Sequence, residues 1–250
     1  MSTFLTAEWR KLVMAQYDVA PSVLEPWLPH GVELDRYQDS GAPGNPARCY
    51  VSLVGFLFDH VRVKGLAIPF HTRFEEVNLR FYVLRTEPDG TQRRGVVFLR
   101  EFVPRSAITL IANRLYEEPY ATLPTHSNIL ETPQSLRVSY AWRYRKTWHS
   151  LAVEASPNAQ PIAPGSEEEF ITEHYWGYTK RRDGSTSQYE VRHPRWQTYP
   201  VLSSEIHVDF AALYGPAFAD LNKQQPASIL LAEGSPVSVH SGSRIKSCGA

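Results

Sequence analysis

In the stretch Phe74-Glu75-Glu76-Val77-Asn78-Leu79-Arg80-Phe81-Tyr82-Val83, chemically capable residues recur at every second position. A period of two is that of a β-strand, so Glu76, Asn78, Arg80 and Tyr82 share one face and Val77, Leu79, Phe81 and Val83 the other. An acid, an amide, a permanent cation and a phenol in one row can hold an anionic molecule or exchange a proton with it. The same row can equally be a solvated sheet surface, and Glu76 and Arg80 can equally neutralise each other as a buried ion pair. Arg105 adds a second candidate, at the start of a helical pattern where free backbone N–H groups favour an anion. Its plainer role is to cap or salt-bridge that helix end, with Glu101 as partner. The segments around His174-Tyr175 and His193 to Trp196 supply titratable rings and aromatic walls, although such aromatics are more often core than stacking platforms.

Several other chemistries lack their signatures. There is no glycine-rich phosphate loop, no GxSxG elbow and no HExxH. The nine histidines show no paired ligand spacing, which leaves only a site assembled in space, for example from His71, His174 or His193 with Glu76. No metal and no cofactor are expected. Lysine plus arginine balance aspartate plus glutamate at 26 each, so no overall field favours nucleic acid or an anionic membrane. Twenty of the 26 basic residues are arginine, which suits fixed bidentate contacts with carboxylates, or else reflects genomic base composition. Cys49 and Cys248 are too few and too far apart for a disulfide framework, which fits a reducing cytoplasm. The opening MSTFLTAEWRKLVMAQY places charges where a signal peptide needs its apolar run, and no stretch has the roughly 18 apolar residues of a membrane span.

The elements that must position these residues are short and many. Residues 9–17 read as a first strand, 19–25 as a short helix with Pro21 in its first turn, and 49–58 as a strand covered on both faces. The strand from Phe74 turns at Glu87-Pro88-Asp89-Gly90 and returns as 95–102, an antiparallel hairpin. Ile108, Ile111, Ala112 and Leu115 recur at helical spacing over 106–117, so that stripe must pack on a sheet. Residues 136–144 alternate as another strand, and 155–165, with three prolines, read as a loop. Ser166 with Glu169 has the spacing of a capping box for a helix over 167–174. Residues 175–180 and 187–193 form a second hairpin around Asp183-Gly184. A helical turn at 209–214 is stopped by Gly215-Pro216, and a last strand covers 236–240. Together these elements describe one mainly antiparallel, barrel-like α+β domain over residues 1–240, with a disordered tail at 241–250.

Several segments in this order resemble the YqjF-like family (domain of unknown function 2071) of the acetoacetate-decarboxylase-like superfamily. They are Leu28-Pro29-His30-Gly31-Val32-Glu33-Leu34-Asp35, Ile68-Pro69-Phe70-His71 with Phe74 to Arg80, Gly95 to Leu99, Pro119-Tyr120, Thr172-Glu173-His174-Tyr175 and Val191-Arg192-His193-Pro194-Arg195-Trp196. The resemblance spans nearly the whole chain and implies bent antiparallel sheets closed into a barrel around a cavity. Its decarboxylating members use a lysine that follows a proline and neighbours a second lysine, whose crowding lowers the amine's pKa for Schiff-base chemistry. Here the equivalent segment is Arg100-Glu101-Phe102-Val103-Pro104-Arg105-Ser106, with arginine after the proline and serine next. A guanidinium stays protonated and is not nucleophilic at neutral pH, so the alignment excludes amine catalysis at Arg105. Among the six lysines, Lys146 in a basic cluster is the only other amine whose setting could depress its pKa.

The expected function is binding of a small organic acid in an internal cavity by Glu76, Asn78, Arg80, Tyr82, Arg105, His174 and His193. The alternative is a lyase or isomerase in which Glu76 or His174 carries a proton and arginines clamp a carboxylated substrate. A third is a structural protein whose barrel interior is filled. The ligand's identity and the oligomeric state are not legible in the sequence.

Overall fold

The structure, a computed structural model, describes residues 2–246 except 40, 42, 43 and 116, and for residues 111–115 the backbone alone. In chain order the first strands are β1 (Thr3–Asp18), β2 (Glu33–Leu34), β3 (Tyr50–Val63), β4 (Phe74–Thr86), β5 (Gln92–Val103), β6 (Tyr120–Thr122), β7 (Thr125–Glu131) and β8 (Leu136–Tyr144). They continue as β9 (Thr147–Ala155), β10 (Gln160–Pro161), β11 (Trp176–Lys180), β12 (Thr186–Arg192), β13 (Gln197–Tyr199), β14 (Val201–His207), β15 (Ser228–His240) and β16 (Ser243–Ile245). The helices are α1 (Pro21–Leu24), α2 (Ser106–Leu115), α3 (Glu167–Thr172) and α4 (Phe210–Tyr214). None of the described helices is long and apolar enough to cross a membrane.

The long strands pair as β15-β1-β3-β4-β5-β11-β12, and β12 pairs again with β15 through Val191 opposite Val239 and Arg192 opposite Ser238. These pairings return to their start, so seven strands form a ring. A separate antiparallel sheet, β14-β9-β8-β7, lies against one side of it. Most pairs are antiparallel, as the hairpins at 74–102 and 175–193 require. Two short parallel pairings, β5 with β11 and β5 with β6, join elements distant in sequence.

Strand β4 shows how the layers are built. Val77, Leu79, Phe81 and Val83 pack with Tyr140, Trp142, Leu151 and Val153 of the second sheet in one core cluster. Fully burying such a side chain contributes about 1.5–3 kcal/mol, a gain that offsets desolvation of the polar face behind it. That opposite face joins a second cluster inside the ring, with Leu12, Met14, Val54, Phe56, Phe58 and Val96. Strand β3 is likewise buried on both faces, as its continuous apolar run requires. Close approach of the second sheet depends on Gly55, because a Cβ there would overlap the Tyr140 ring. The Tyr140 hydroxyl then donates to the Lys11 carbonyl at 2.8 Å, tying the two layers together.

Several expectations need correction. The last strand is 13 residues long and starts at Ser228, because Ile229 to Ala232 pair with β1. The proline-rich loop carries the two-residue strand β10, which bonds β13. Strands β7, β9, β13 and β14 were not anticipated, and three of them make most of the second sheet. The tail region contains β16, held by Thr186 to Gln188 of β12, while residues 247–250, with Cys248, lie outside the described residues. Helix α2 is present, and Ile108 packs on the inner cluster. The side chains of Ile111, Ala112 and Leu115 lie outside the described set. At α3 the Ser166 hydroxyl accepts from the Glu169 N–H at 3.2 Å, while the Glu169 carboxylate takes the N–H of Gly165, one residue before its capping-box partner.

Gly234 shows where the ring is least tolerant. Its φ is +82°, and a Cβ would overlap the Trp9 carbonyl oxygen across the β1–β15 pairing. Gly234→Ala is expected to lose about 2 kcal/mol or more of stability in urea unfolding; a loss below about 0.5 kcal/mol would show that the pairing relaxes freely.

Candidate functional site

The inner face of the ring leaves a cavity of about 160 Å³. Its walls are largely aromatic and aliphatic, with Trp9, Phe56, Phe58, Phe74 and Phe98 among them. Glu76, Asn78, Arg80 and His174 line it, so the structure brings four of the seven expected ligand-binding residues together. The stripe does not face water: Glu76 is 2%, Asn78 1%, Arg80 8% and Tyr82 1% exposed. Tyr82 stands behind the wall instead, its hydroxyl 2.8 Å from that of Ser52 and its ring 4.7 Å from the His174 ring. Arg105 and His193 are not among the lining residues. His193 stacks on Trp196 with ring centroids 4.3 Å apart, and its Nδ1 is 2.9 Å from the Pro194 carbonyl oxygen.

The alternative ion pair, in which Glu76 and Arg80 neutralise each other, is not formed. Asn78 Nδ2 donates to Glu76 Oε1 at 2.9 Å and the Tyr120 hydroxyl donates to Oε2 at 3.0 Å, which satisfies both carboxyl oxygens. The Arg80 guanidinium has no carboxylate within 4.0 Å among the described residues; one Nη reaches Met14 Sδ at 3.8 Å and its Nε has no partner. It is a nearly buried cation facing a cavity.

Three acids gather at the other end of the stripe. Glu101 stands opposite Asn78 in the β4–β5 register and opposite Tyr120 in the β5–β6 register, so the two pairings carry Glu76, Glu101 and Glu118 to one place. Glu101 is in hydrogen-bonding contact with Glu76. The Tyr189 hydroxyl donates to Glu118 Oε1 at 2.5 Å. Its ring lies over Gly177, where a Cβ would overlap it, so the glycine creates the reach. Burial pushes Glu76 and Glu118 up to about 7 and Glu101 well above the ordinary carboxylate range; mutual repulsion adds to the effect at Glu101.

His174 is held from the rear. Its Nε2 lies 3.0 Å from Asp35 Oδ2, the oxygen that also accepts from Arg94 Nε at 2.6 Å. Burial lowers the His174 pKa to about 4, outweighing the pull of Asp35, so the ring is neutral near pH 7. With the Nε2 proton directed at Asp35, Nδ1 is left as a bare acceptor without a partner.

As site residues Glu101, Glu118, Tyr120 and Tyr189 were missed in the sequence: Tyr120 stood only in the family resemblance and Glu101 only as a partner for Arg105, whose Nε in fact has no hydrogen-bond partner among the described residues. Glu101 follows Val97 and Leu99 at a period of two, which assigns it to the outer, apolar face. The register slips at Leu79/Arg80, leaving Leu99 unpaired, and this bulge turns Glu101 inward. Glu118 follows a helix and Tyr189 sits in a distant hairpin, so no local pattern connects them. Lys146 is exposed and no lysine lines the cavity, so neither amine position supports Schiff-base chemistry there. Among the described residues, no three His, Cys, Asp or Glu side chains are arranged to hold a metal ion.

The family model DUF2071, described as an uncharacterized conserved protein, matches residues 6–236. No curated protein matches the sequence. Among solved structures, acetoacetate decarboxylase from Legionella pneumophila matches with a TM-score of 0.63 at 12% identity, over 98% of this chain and 90% of that one. An acetoacetate decarboxylase-like enzyme from Sphingomonas wittichii matches with a TM-score of 0.64 at 11% identity, over 99% and 95% of the two chains. The enduracididine biosynthesis enzyme MppR, complexed with the condensation product of pyruvate and imidazole 4-carboxaldehyde, matches with a TM-score of 0.61 at 12% identity, over 98% and 90%. At these identities the likeness establishes the fold: a mainly β protein with few short helices, built like acetoacetate decarboxylase.

The acid cluster sets a pH signature. Glu76 and Glu118 keep their protons to about pH 7 when folded, against an ordinary value of 4.5. The folded state therefore binds more protons between these values, so the stabilisation is complete below about pH 4.5 and is lost as pH rises through about 7. His174 acts in the opposite direction: its folded value of about 4 lies below the ordinary 6.5, so its contribution is lost as pH falls from 6.5 towards 4. Glu118→Gln removes one acid contribution and relieves part of the repulsion at Glu101, which acts in the same direction. The stability of this variant relative to the parent should become more favourable from pH 5 to pH 8, by on the order of 2 kcal/mol in urea unfolding. A pH-independent difference would mean that Glu118 ionises normally in the folded chain.

Proposed function

Because the chain belongs to the DUF2071 family and carries the acetoacetate-decarboxylase-like fold, we propose that it binds a small organic acid inside its strand ring. The observation that carries this reading is Arg80, a guanidinium 8% exposed that lines the cavity without a carboxylate partner among the described residues. A buried charge of this kind is costly unless paired, and a ligand carboxylate can pair with it through two parallel hydrogen bonds. The aromatic walls suit an apolar ligand body. A volume near 160 Å³ is comparable to cavities that hold a benzene ring, so a ligand of about that size fits. Seven ring strands enclosing this space are read here as a barrel. The absence of a lysine from the lining agrees with the loss of the amine that decarboxylating relatives require.

Thermal-shift measurements with small keto, hydroxy and aromatic acids test the reading. At least one acid should raise Tm by several degrees at saturating concentration. Arg80→Met should weaken its binding by roughly 10–100-fold, the range for a charge-assisted pair. The same substitution should leave the ligand-free protein at least as stable as the parent, because it removes a buried cation that has no carboxylate partner among the described residues. If no acid stabilises the chain, or if Arg80→Met binds equally well, the proposal fails.

A second reading, acid–base catalysis on a carboxylated substrate, is favoured by one observation: burial brings Glu76 to about 7 within the same cavity as Arg80. A carboxyl group titrating near neutrality can take a proton and return it, as a lyase or isomerase step requires. Nuclear magnetic resonance should then show that the protein accelerates exchange of the α-hydrogens of small keto acids into D₂O, and that Glu76→Gln reduces the acceleration at least about 100-fold. No acceleration, or acceleration unchanged in Glu76→Gln, excludes this chemistry.

A further inference from the structure

The carboxylate at Arg80 accounts for one end of the cavity. Five lining residues each hold a buried polar atom without a partner: Arg80 Nε, Trp9 Nε1, Asn78 Oδ1, Glu101 Oε2 and His174 Nδ1. The first two are obligate donors. Asn78 has already committed its amide nitrogen to Glu76, so the oxygen is its free end. His174 presents a lone pair because its other nitrogen faces Asp35. A ligand with acceptor oxygens alone would satisfy the donors Arg80 and Trp9 and leave the acceptors of Asn78 and His174 dry.

The surrounding charge points the same way. Glu76, Glu101 and Glu118 lie together, and no arginine or lysine among the described residues forms an ion pair with any of them. Buried acids without a cation are costly in their ionised form. An ammonium group carries three donors and the positive charge that would let one of these acids release its proton. Asn78 and Arg80 are two positions apart on β4, roughly 7 Å along the strand, and Glu101 is level with Asn78. The cationic and anionic ends are therefore offset along one wall.

We infer that the ligand is a small amino acid whose carboxylate sits on Arg80 and whose ammonium sits between Asn78 Oδ1 and the Glu76–Glu101 pair. This rests on the carboxylate reading of Arg80 and narrows it to ligands with a charge at each end.

Isothermal titration calorimetry of the full chain with pentanoate, 2-aminopentanoate, 5-aminopentanoate and pentylammonium separates the two ideas. One of the aminopentanoates should bind at least roughly tenfold tighter than pentanoate, as expected for hydrogen bonds to charged groups. Glu101→Gln should narrow that ratio below about threefold, and Asn78→Leu should do the same, so that either variant suffices if the other fails to fold. Pentanoate binding as tightly as both amino acids, with all of it lost in Arg80→Met, would overturn the amino-acid assignment while leaving the carboxylate site intact. Pentylammonium binding alone, or no binding of any of the four at millimolar concentration, would overturn both.

Discussion

A charged row can be kept inside a protein only if the strand that carries it is anchored elsewhere, and β4 meets that condition. Its apolar face is buried against the second sheet through Val77, Leu79, Phe81 and Val83, all without measurable exposure. Those contacts fix the register, since a slip of one residue would turn Glu76 and Arg80 into the apolar layer. The second sheet thus does not line the cavity, yet it determines which side chains do. Gly55 and Tyr140 belong to the same constraint, because they set how closely the sheet lies against the ring.

The polar face is organised as two separate poles rather than as neutralised pairs. Asn78 and Tyr120 saturate Glu76, which removes the partner that Arg80 would otherwise take. The acids are accommodated instead by holding protons, which burial makes favourable, and His174 by losing one. Arginine cannot relieve its burial in this way, because its guanidinium stays charged at any ordinary pH. Arg80 is therefore the one member of the row that keeps its charge inside the strand ring, with its guanidinium 5.8 Å from the centroid of the Tyr82 ring.

How far these features could be read in advance follows from how local their causes are. Alternation within 74–83 identified the face shared by Glu76, Asn78 and Arg80, and the hairpin to 95–102, because both depend on neighbours two residues apart. Whether that face met water or an interior depended on ring closure between β12 and β15, residues nearly fifty positions apart, and only the family resemblance pointed to it. Glu101 was hidden by a bulge that strict alternation cannot anticipate. Strand β9 alternates His149, Leu151, Val153 and Ala155 inward, a signal present in the sequence but not read as a strand. By contrast, β7 and β14 are mostly exposed and carry little apolar pattern to find.

The same considerations limit what fold likeness can transfer. Amine catalysis requires a lysine whose cationic form is destabilised inside the cavity, by burial or by another cation close to it. In this chain no lysine lines the cavity, Arg105 lies outside it, and the inward groups near Asn78 are three carboxyls. An amine introduced among those carboxyls would be stabilised as an ammonium, with its pKa raised rather than lowered. A single substitution to lysine would therefore not restore the electrostatics of a Schiff-base site. In the charge environment of this cavity, an amine near Asn78 would be held in its protonated form.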